Sequence, residues 1–125
     1  MNTNKRIIQV VAYDPKWPEL FQIESEALAA VLGDEILRVH HIGSTAVPGL
    51  AAKPIIDILL EVKDVNTLDE YNAAMERLGY TARGEYGVPG RRFFLKGLHN
   101  RTHHVHAFNV GSPAVSYTHL RAHET

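Results

Sequence analysis

The chain has 125 residues, of which 45% are hydrophobic and 22% charged, and its formal net charge is -1. This length suits one domain, the near-neutral charge argues against binding to nucleic acid or to a membrane, and no apolar run approaches the roughly 20 residues of a membrane span. The lack of cysteine excludes disulfides and thiolate zinc sites, and the polar N-terminus has no signal-peptide core, so we predict a cytoplasmic enzyme or binding domain.

The predicted elements begin with a strand and a long helix. Residues 7–13, IIQVVAY, are apolar and β-branched, which favours a strand that Asp14 and Pro15 end. The helix that follows ends at Gly33. Its apolar stripe comprises Trp17, Phe21, Leu28 and Leu32.

Two further strands are predicted in the middle of the chain. Residues 35–44, EILRVHHIGS, predict a strand that runs into a Gly-Ser pair. Residues 54–62, PIIDILLEV, are apolar on both faces apart from Asp57 and Glu61. That pattern is typical of a central strand, buried on both sides of its sheet.

A second helix and three short strands complete the predicted fold. Residues 64–80 predict the helix, with Thr67 and Glu70 as a capping box. The three strands fall within residues 81–86, 91–98 and 103–110. The order β-α-β-β-α-β-β-β predicts an α+β fold, in which two main helices pack on one side of a mixed β-sheet.

The last residues form a separate segment in this interpretation. Residues 115–125, VSYTHLRAHET, have no apolar period and resemble the translated remnant of a sequencing adapter, so we predict a non-native tail. We therefore exclude His119 and His123 from the site. The domain then comprises residues 1–114 and is incomplete at its C-terminus.

Asp57 is the main candidate for chemistry, and strand alternation places it on one face with Leu59 and Glu61. A buried carboxylate must be paired or bind a cation. Asp57 therefore either forms an ion pair or caps a backbone donor, or it faces a cleft where it holds a metal or activates a hydroxyl. The Gly43-Ser44 pair favours the second possibility, because glycine lets an anion approach the backbone and the intervening loop returns to Asp57.

Histidines and basic residues add two further features to the second half of the chain. His104 and His106 share a strand face about 6 to 7 Å apart, where two imidazoles can bind one divalent metal, although a partly exposed strand explains them equally. Lys53, Arg91 and Arg92 favour an anionic ligand, although most basic surface residues are simply solvated.

The chain contains four further motifs: V-x-Y-D-P-x-W at residues 11–17, HIGSTAVPGLAAKPIIDILLEV at 41–62, GRRFFLK at 90–96 and HHVHAFNVGS at 103–112. Together they resemble the GrpB family. The resemblance extends over residues 7–114. It implies a nucleotidyltransferase-like fold of the polymerase-β type superfamily, and it implies that a C-terminal helical portion is missing here.

The resemblance also implies site residues. In that superfamily a strand ends in Gly-Ser, and three acids on later strands hold two divalent cations, which align a nucleoside triphosphate with an acceptor hydroxyl. By resemblance, residues 43–44 are the Gly-Ser pair and Asp57 is the first acid. Leu59 occupies the second acid position, and His104 or His106 replaces the third. Such a mixed set would favour one softer metal, Zn or Mn, over a pair of Mg ions.

We therefore predict a protein that binds a nucleotide or another phosphorylated small molecule and transfers a nucleotidyl or phosphoryl group with a divalent metal (Mg, Mn or Zn). The predicted metal ligands are Asp57, His104 and His106, and the predicted phosphate ligands are Gly43, Ser44, Lys53, Arg91 and Arg92. One alternative is a degenerate module that binds a nucleotide or anion without chemistry, which Leu59 favours. Another is a metal-dependent hydrolase with Glu61 or Asp57 as base. No membrane or nucleic-acid partner is expected, and the oligomeric state does not follow from the sequence.

Overall fold

The computed structural model describes residues 9–116 and has a five-stranded sheet with helices against it. The helices and strands are α1 (Trp17–Leu32), β1 (Ile36–Ile42), β2 (Ile56–Val62), α2 (Val65–Leu68), α3 (Asn72–Arg77), β3 (Tyr80–Ala82), β4 (Arg92–Lys96) and β5 (His103–Asn109). Across the residues described, no helix is long and apolar enough to cross a membrane. The predicted α+β class is confirmed.

The sheet is mixed, as predicted, because β2 pairs antiparallel with β1 and parallel with β5. The strand order is β1-β2-β5-β4-β3, and the remaining pairs are antiparallel. The interior position of β2 explains why it is apolar on both faces. Its parallel register sets Asp57 opposite His104 and Leu59 opposite His106, so these four side chains project from one face of the sheet.

The helices pack on the other face and build the main core. Every second residue of β2 points into it, from Ile56 to Val62, with Val105 and Ala107 beside them on β5. The helical residues of this core include Trp17, Leu28, Leu32, Leu68 and Met75. Full burial of each large aliphatic side chain contributes roughly 1.5–3 kcal/mol, so this layer holds the helices on the sheet.

A smaller apolar cluster lies on the face that carries Asp57. It consists of Ile42, Leu59 and Phe108, with Val88, Ala114 and Val115 packed against it. Residues 117–125, which hold most of the predicted non-native tail, lie outside the described residues, so that assignment stays a prediction.

The predicted first strand is wrong for the residues that can be checked. Residues 9–13 make one isolated bridge, between Val11 and Ala52, and residues 7–8 lie outside the described range. Val10 is 63% exposed, so its β-branched side chain has little packing that could stabilise further strand pairing beyond the bridge. β-propensity alone does not make a strand, because the preference measures packing on neighbours.

The predicted second helix is present but interrupted by a 3-10 turn at Asp69–Tyr71. Asp64 caps its start, since its side chain accepts a hydrogen bond from the Asn66 N–H at 2.9 Å. The predicted capping box at Thr67 is therefore wrong by one turn. The next predicted strand is also shorter than expected, because β3 ends at Ala82.

Candidate functional site

A cavity of about 440 Å³ lies beside the start of β2. Its polar lining includes Ser44, Lys53, Asp57 and His104. Four parts of the chain contribute these groups: the turn after β1, the loop that enters β2, and the adjacent strands β2 and β5. The structure thus brings together four residues that the sequence separates by up to sixty positions.

Asp57 lies between two of the histidines of β5, His104 and His106. Its Oδ1 atom is 3.4 Å from Nδ1 of His104 and 3.4 Å from Nε2 of His106. Burial by itself would raise the pKa of Asp57, but the hydrogen bonds from both imidazoles outweigh it and hold that pKa below its ordinary value. The carboxyl group is therefore an ionised acceptor at neutral pH.

Arg91 determines the protonation of His106. Its Nη1 atom lies 3.2 Å from Nδ1 of His106, and a guanidinium can only donate. Nδ1 must then accept, which leaves the ring proton on Nε2, facing Asp57. Burial lowers the pKa of Arg91, but an arginine stays charged at neutral pH. The chain Arg91–His106–Asp57 thus fixes the tautomer of this imidazole.

Gly43 is required by the position of Asp57. Its φ angle is 78°, in the region that favours glycine, and a Cβ built there would lie 2.7 Å from Oδ2 of Asp57. The backbone after β1 can therefore pass directly over the carboxylate only without a side chain. The glycine of the Gly-Ser pair is therefore needed because the backbone there contacts the Asp57 carboxylate.

Thr45 attaches the same turn to the start of β2. The buried hydroxyl donates to the Ile55 carbonyl at 3.2 Å and lies 3.0 Å from Nε2 of His41. Since its proton is used on the carbonyl, the hydroxyl accepts from His41, whose ring stacks on Phe21 with centroids 4.8 Å apart. Sequence reasoning missed this residue, because a threonine in a loop has no distinguishing pattern.

The GrpB protein family model matches residues 7–124. The chain belongs to the GrpB family. A crystal structure of GrpB from Enterococcus faecalis is similar over 90% of this chain and 68% of that one, with 45% identity and a TM-score of 0.86. The fold of the GrpB chain is therefore shared with a solved family member.

Two curated relatives illustrate how the family sequence occurs in longer proteins. The UPF0157 protein YqkA of Bacillus subtilis is 46% identical over 124 residues, which span 95% of this chain and 36% of YqkA. A dephospho-CoA kinase of Mycolicibacterium paratuberculosis is 38% identical over 76 residues, which span 58% of this chain and 19% of the kinase. The GrpB chain thus spans about a third of the first protein and a fifth of the second.

Five predicted site residues do not line the cavity: Gly43, Glu61, Arg91, Arg92 and His106. Glu61 and Arg92 have their partners elsewhere. Glu61 shares the face of Asp57, but its buried carboxylate contacts Nε2 of His40 at 2.6 Å and Nη1 of Arg38 at 3.3 Å. Arg92 projects from the helix face, where it contacts Asp69 at 2.8 Å and Asn66 at 3.0 Å. Adjacent strand residues point to opposite faces, so the contact of Arg91 with His106 directs Arg92 away.

The predicted metal ligands come together, but their donor atoms do not fit a divalent metal. Among residues 9–116 no group of three or more His, Asp or Glu side chains is arranged to hold a metal ion. The Nε2 atom of His106 carries a proton, because Arg91 occupies Nδ1, and a protonated nitrogen has no lone pair for a metal. Asp57 and His104 alone are fewer ligands than the three that open zinc sites use.

A second polar cluster, on the helix face, was not expected from the sequence. Glu24 of α1 is buried and accepts hydrogen bonds from the Tyr80 hydroxyl and from Nζ of Lys96, the latter at 2.7 Å. Nε2 of His103 lies 3.7 Å away. Burial would raise the pKa of Glu24, but hydrogen bonds from Lys96 and Tyr80 lower it below its ordinary value. Glu24 gives no hint of this in sequence, because it lies among other polar residues of the helix.

Proposed function

We propose that this GrpB chain binds a phosphorylated small molecule, with nucleotides as the first class to test, in the cavity beside β2. The observation that carries the proposal is the convergence of Ser44, Lys53 and His104 on one cavity of about 440 Å³. A hydroxyl and an ammonium can each donate to phosphate oxygens, and the His104 ring, whose Nδ1 atom faces Asp57, forms part of the cavity wall. The volume lies in the ordinary range for small-molecule sites.

Asp57 acts in this proposal as a positioning group. Its Oδ1 atom accepts hydrogen bonds from two imidazoles. It holds the Nδ1 side of His104 and so fixes the orientation of that ring at the cavity wall. The same contacts keep its pKa low, which makes it a weak base, and Glu61 is occupied by Arg38 and His40. This argues against the hydrolase alternative.

Binding without group transfer is the form of the proposal that the geometry favours. Two-metal nucleotidyl transfer needs carboxylates that share two cations. In this chain Leu59 stands at the second acid position and is fully buried, and His106 has its acceptor nitrogen occupied by Arg91. The degenerate, non-catalytic alternative is therefore the one we adopt.

The similarity to a dephospho-CoA kinase extends the set of ligands worth testing. The match covers 19% of that kinase, and the present sequence contains no G-x-x-x-x-G-K-[ST] phosphate-binding loop. We therefore do not propose kinase activity for this chain. Dephospho-CoA and CoA join ATP and CTP as phosphorylated ligands.

Isothermal titration with tripolyphosphate, ATP, CTP, dephospho-CoA and CoA tests the proposal. At least one ligand should bind, and Lys53→Gln should weaken it roughly tenfold, because a charge-assisted hydrogen bond is lost. Lys63→Gln is the matched control, since Lys63 is exposed just beyond the other end of β2. Equal affinities for the two variants, or no binding up to millimolar ligand, would refute the proposal.

A second measurement separates binding from chemistry. Phosphorus NMR of ATP incubated with the protein and Mg²⁺ or Mn²⁺ should show no new phosphate species over hours. Formation of pyrophosphate or of a transferred nucleotide would restore the transferase interpretation. The Asp57→Asn variant would then have to abolish it.

A further inference from the structure

The loop between β3 and β4 holds an exposed aromatic ring in a strained backbone conformation. Tyr86 is the one residue other than glycine with a positive φ in the described part of the chain, at 49°. Such a conformation is unfavourable for a bulky residue and persists only when its surroundings impose it. Here the Tyr86 carbonyl accepts from Nη2 of Arg91 at 2.8 Å, and the Glu85 carbonyl accepts from Nε of Arg91 at 3.2 Å.

The strained residue places its ring on a second aromatic ring. Tyr86 and Phe93 stack in parallel, with centroids 5.2 Å apart and planes inclined by 6°. Phe93 is 5% exposed, whereas Tyr86 is 53% exposed. One side of the Tyr86 ring therefore covers Phe93 while much of the ring faces water. Because about half of the Tyr86 side chain stays in water, burial of apolar surface alone does not explain why its backbone is strained.

This aromatic pair adjoins the cavity through the histidines. The Phe93 ring lies 5.4 Å from the His104 ring and 5.1 Å from the His106 ring, centroid to centroid. His104 lines the cavity that contains Lys53. The guanidinium of Arg91 also covers Phe93, at 4.8 Å. Aromatic and cationic groups thus continue outward from the proposed phosphate site.

We infer that Tyr86 and Phe93 form a stacking platform for the planar base of a nucleotide whose phosphates occupy the cavity. The inference rests on the proposed function and narrows its ligand class from phosphorylated molecules to those with a base. Bases stack on aromatic side chains with little dependence on sequence, since each base has a π face. Purine and pyrimidine nucleotides should both bind.

Titration with ATP and with tripolyphosphate tests the platform, because the two differ in the nucleoside. The wild type should bind ATP about tenfold more tightly than tripolyphosphate. Tyr86→Asn should remove that preference and leave tripolyphosphate binding unchanged, since asparagine tolerates positive φ. Tyr86→Phe keeps the ring and should behave as the wild type. Circular dichroism confirms the fold of each variant.

The possible failures are distinguishable. Binding of tripolyphosphate with no preference for ATP would overturn the platform and leave the proposed function standing. No binding of ATP or tripolyphosphate would overturn the platform, and no binding of any of the five ligands would overturn the proposed function as well. A Tyr86→Trp variant gives an independent readout: ATP should quench its added fluorescence and tripolyphosphate should not, while the single native tryptophan, Trp17, is buried. Equal quenching by the two ligands would contradict stacking.

Discussion

At the scale of single residues, the site depends on groups that fix one another. Gly43 admits the backbone over Asp57, Asp57 accepts from two imidazoles, and Arg91 assigns the proton of one of them. Each contact limits what its neighbour can do. An acid in an apolar strand suggests a cation ligand, but the Oδ1 atom of Asp57 is already hydrogen-bonded to two imidazoles.

Gly43→Ala should destabilise the protein by about 1–3 kcal/mol, from the strain of positive φ together with the clash with Asp57. Gly49→Ala is a matched control: its φ of 81° is nearly the same, and a Cβ there meets nothing within 4 Å. Urea unfolding should show the larger loss for Gly43→Ala. Equal losses would mean that the contact with Asp57 has no energetic weight.

Arg91→Met should free the Nδ1 atom of His106 to carry the ring proton, so that Nε2 can bind a metal with Asp57 and His104. Zn²⁺ or Mn²⁺ should then raise the melting temperature of the variant and leave the wild type unchanged, because only a bound ligand stabilises the folded state. Thermal unfolding with and without EDTA measures this. Stabilisation of the wild type by either metal would show that its donor set does hold a cation.

At the scale of elements, α1 contacts the sheet through apolar residues and also through a buried ionic cluster. Glu24 reaches Lys96 of β4 and Tyr80 of β3. Removing one member of this buried cluster leaves a charge without a partner, which lowers the free energy of unfolding. The apolar stripe of α1 could be predicted from its period, but this contact could not, since it depends on which strand the helix crosses.

Glu24→Gln should lower stability by about 1–3 kcal/mol near neutral pH. The pKa of Glu24 lies below its ordinary value of 4.5 in the folded state, so its contribution is complete above pH 4.5 and is lost as the pH falls through the folded value. The difference in free energy of unfolding between variant and wild type should therefore shrink below pH 4.5.

His103 has the opposite effect. Burial lowers its pKa, so this histidine destabilises the fold as the pH falls through 6.5.

Urea titrations at several pH values measure this dependence. Glu19→Gln, on the exposed first turn of α1, is the control and should change stability little at any pH. A loss for Glu24→Gln that stayed constant down to pH 3 would mean that the effect is one of packing, with no part played by the charge.

At the scale of the whole molecule, the sequence predicted the architecture better than the site. Alternation placed Asp57 with Glu61 on one face of β2 and His104 with His106 on one face of β5, and the register between the two strands sets both on the same face of the sheet. It could not choose between Arg91 and Arg92, because alternation says only that the two diverge. Nor could it pair Glu61 with the residues of β1, since that depends on strand register. Tyr86 could not be singled out, because its strained backbone conformation in a turn leaves no pattern in the sequence.

The parallel pairing of β2 with β5 has a consequence for how the molecule is made. His106 follows Asp57 by 49 positions, and two antiparallel strands and the second helical segment lie between them. During synthesis Asp57 emerges long before the imidazoles that donate to it. Burial of β2 without those imidazoles would leave an unpaired buried charge, which is unfavourable. We therefore expect the cavity beside β2 and the centre of the sheet to form together, once β5 has been synthesised.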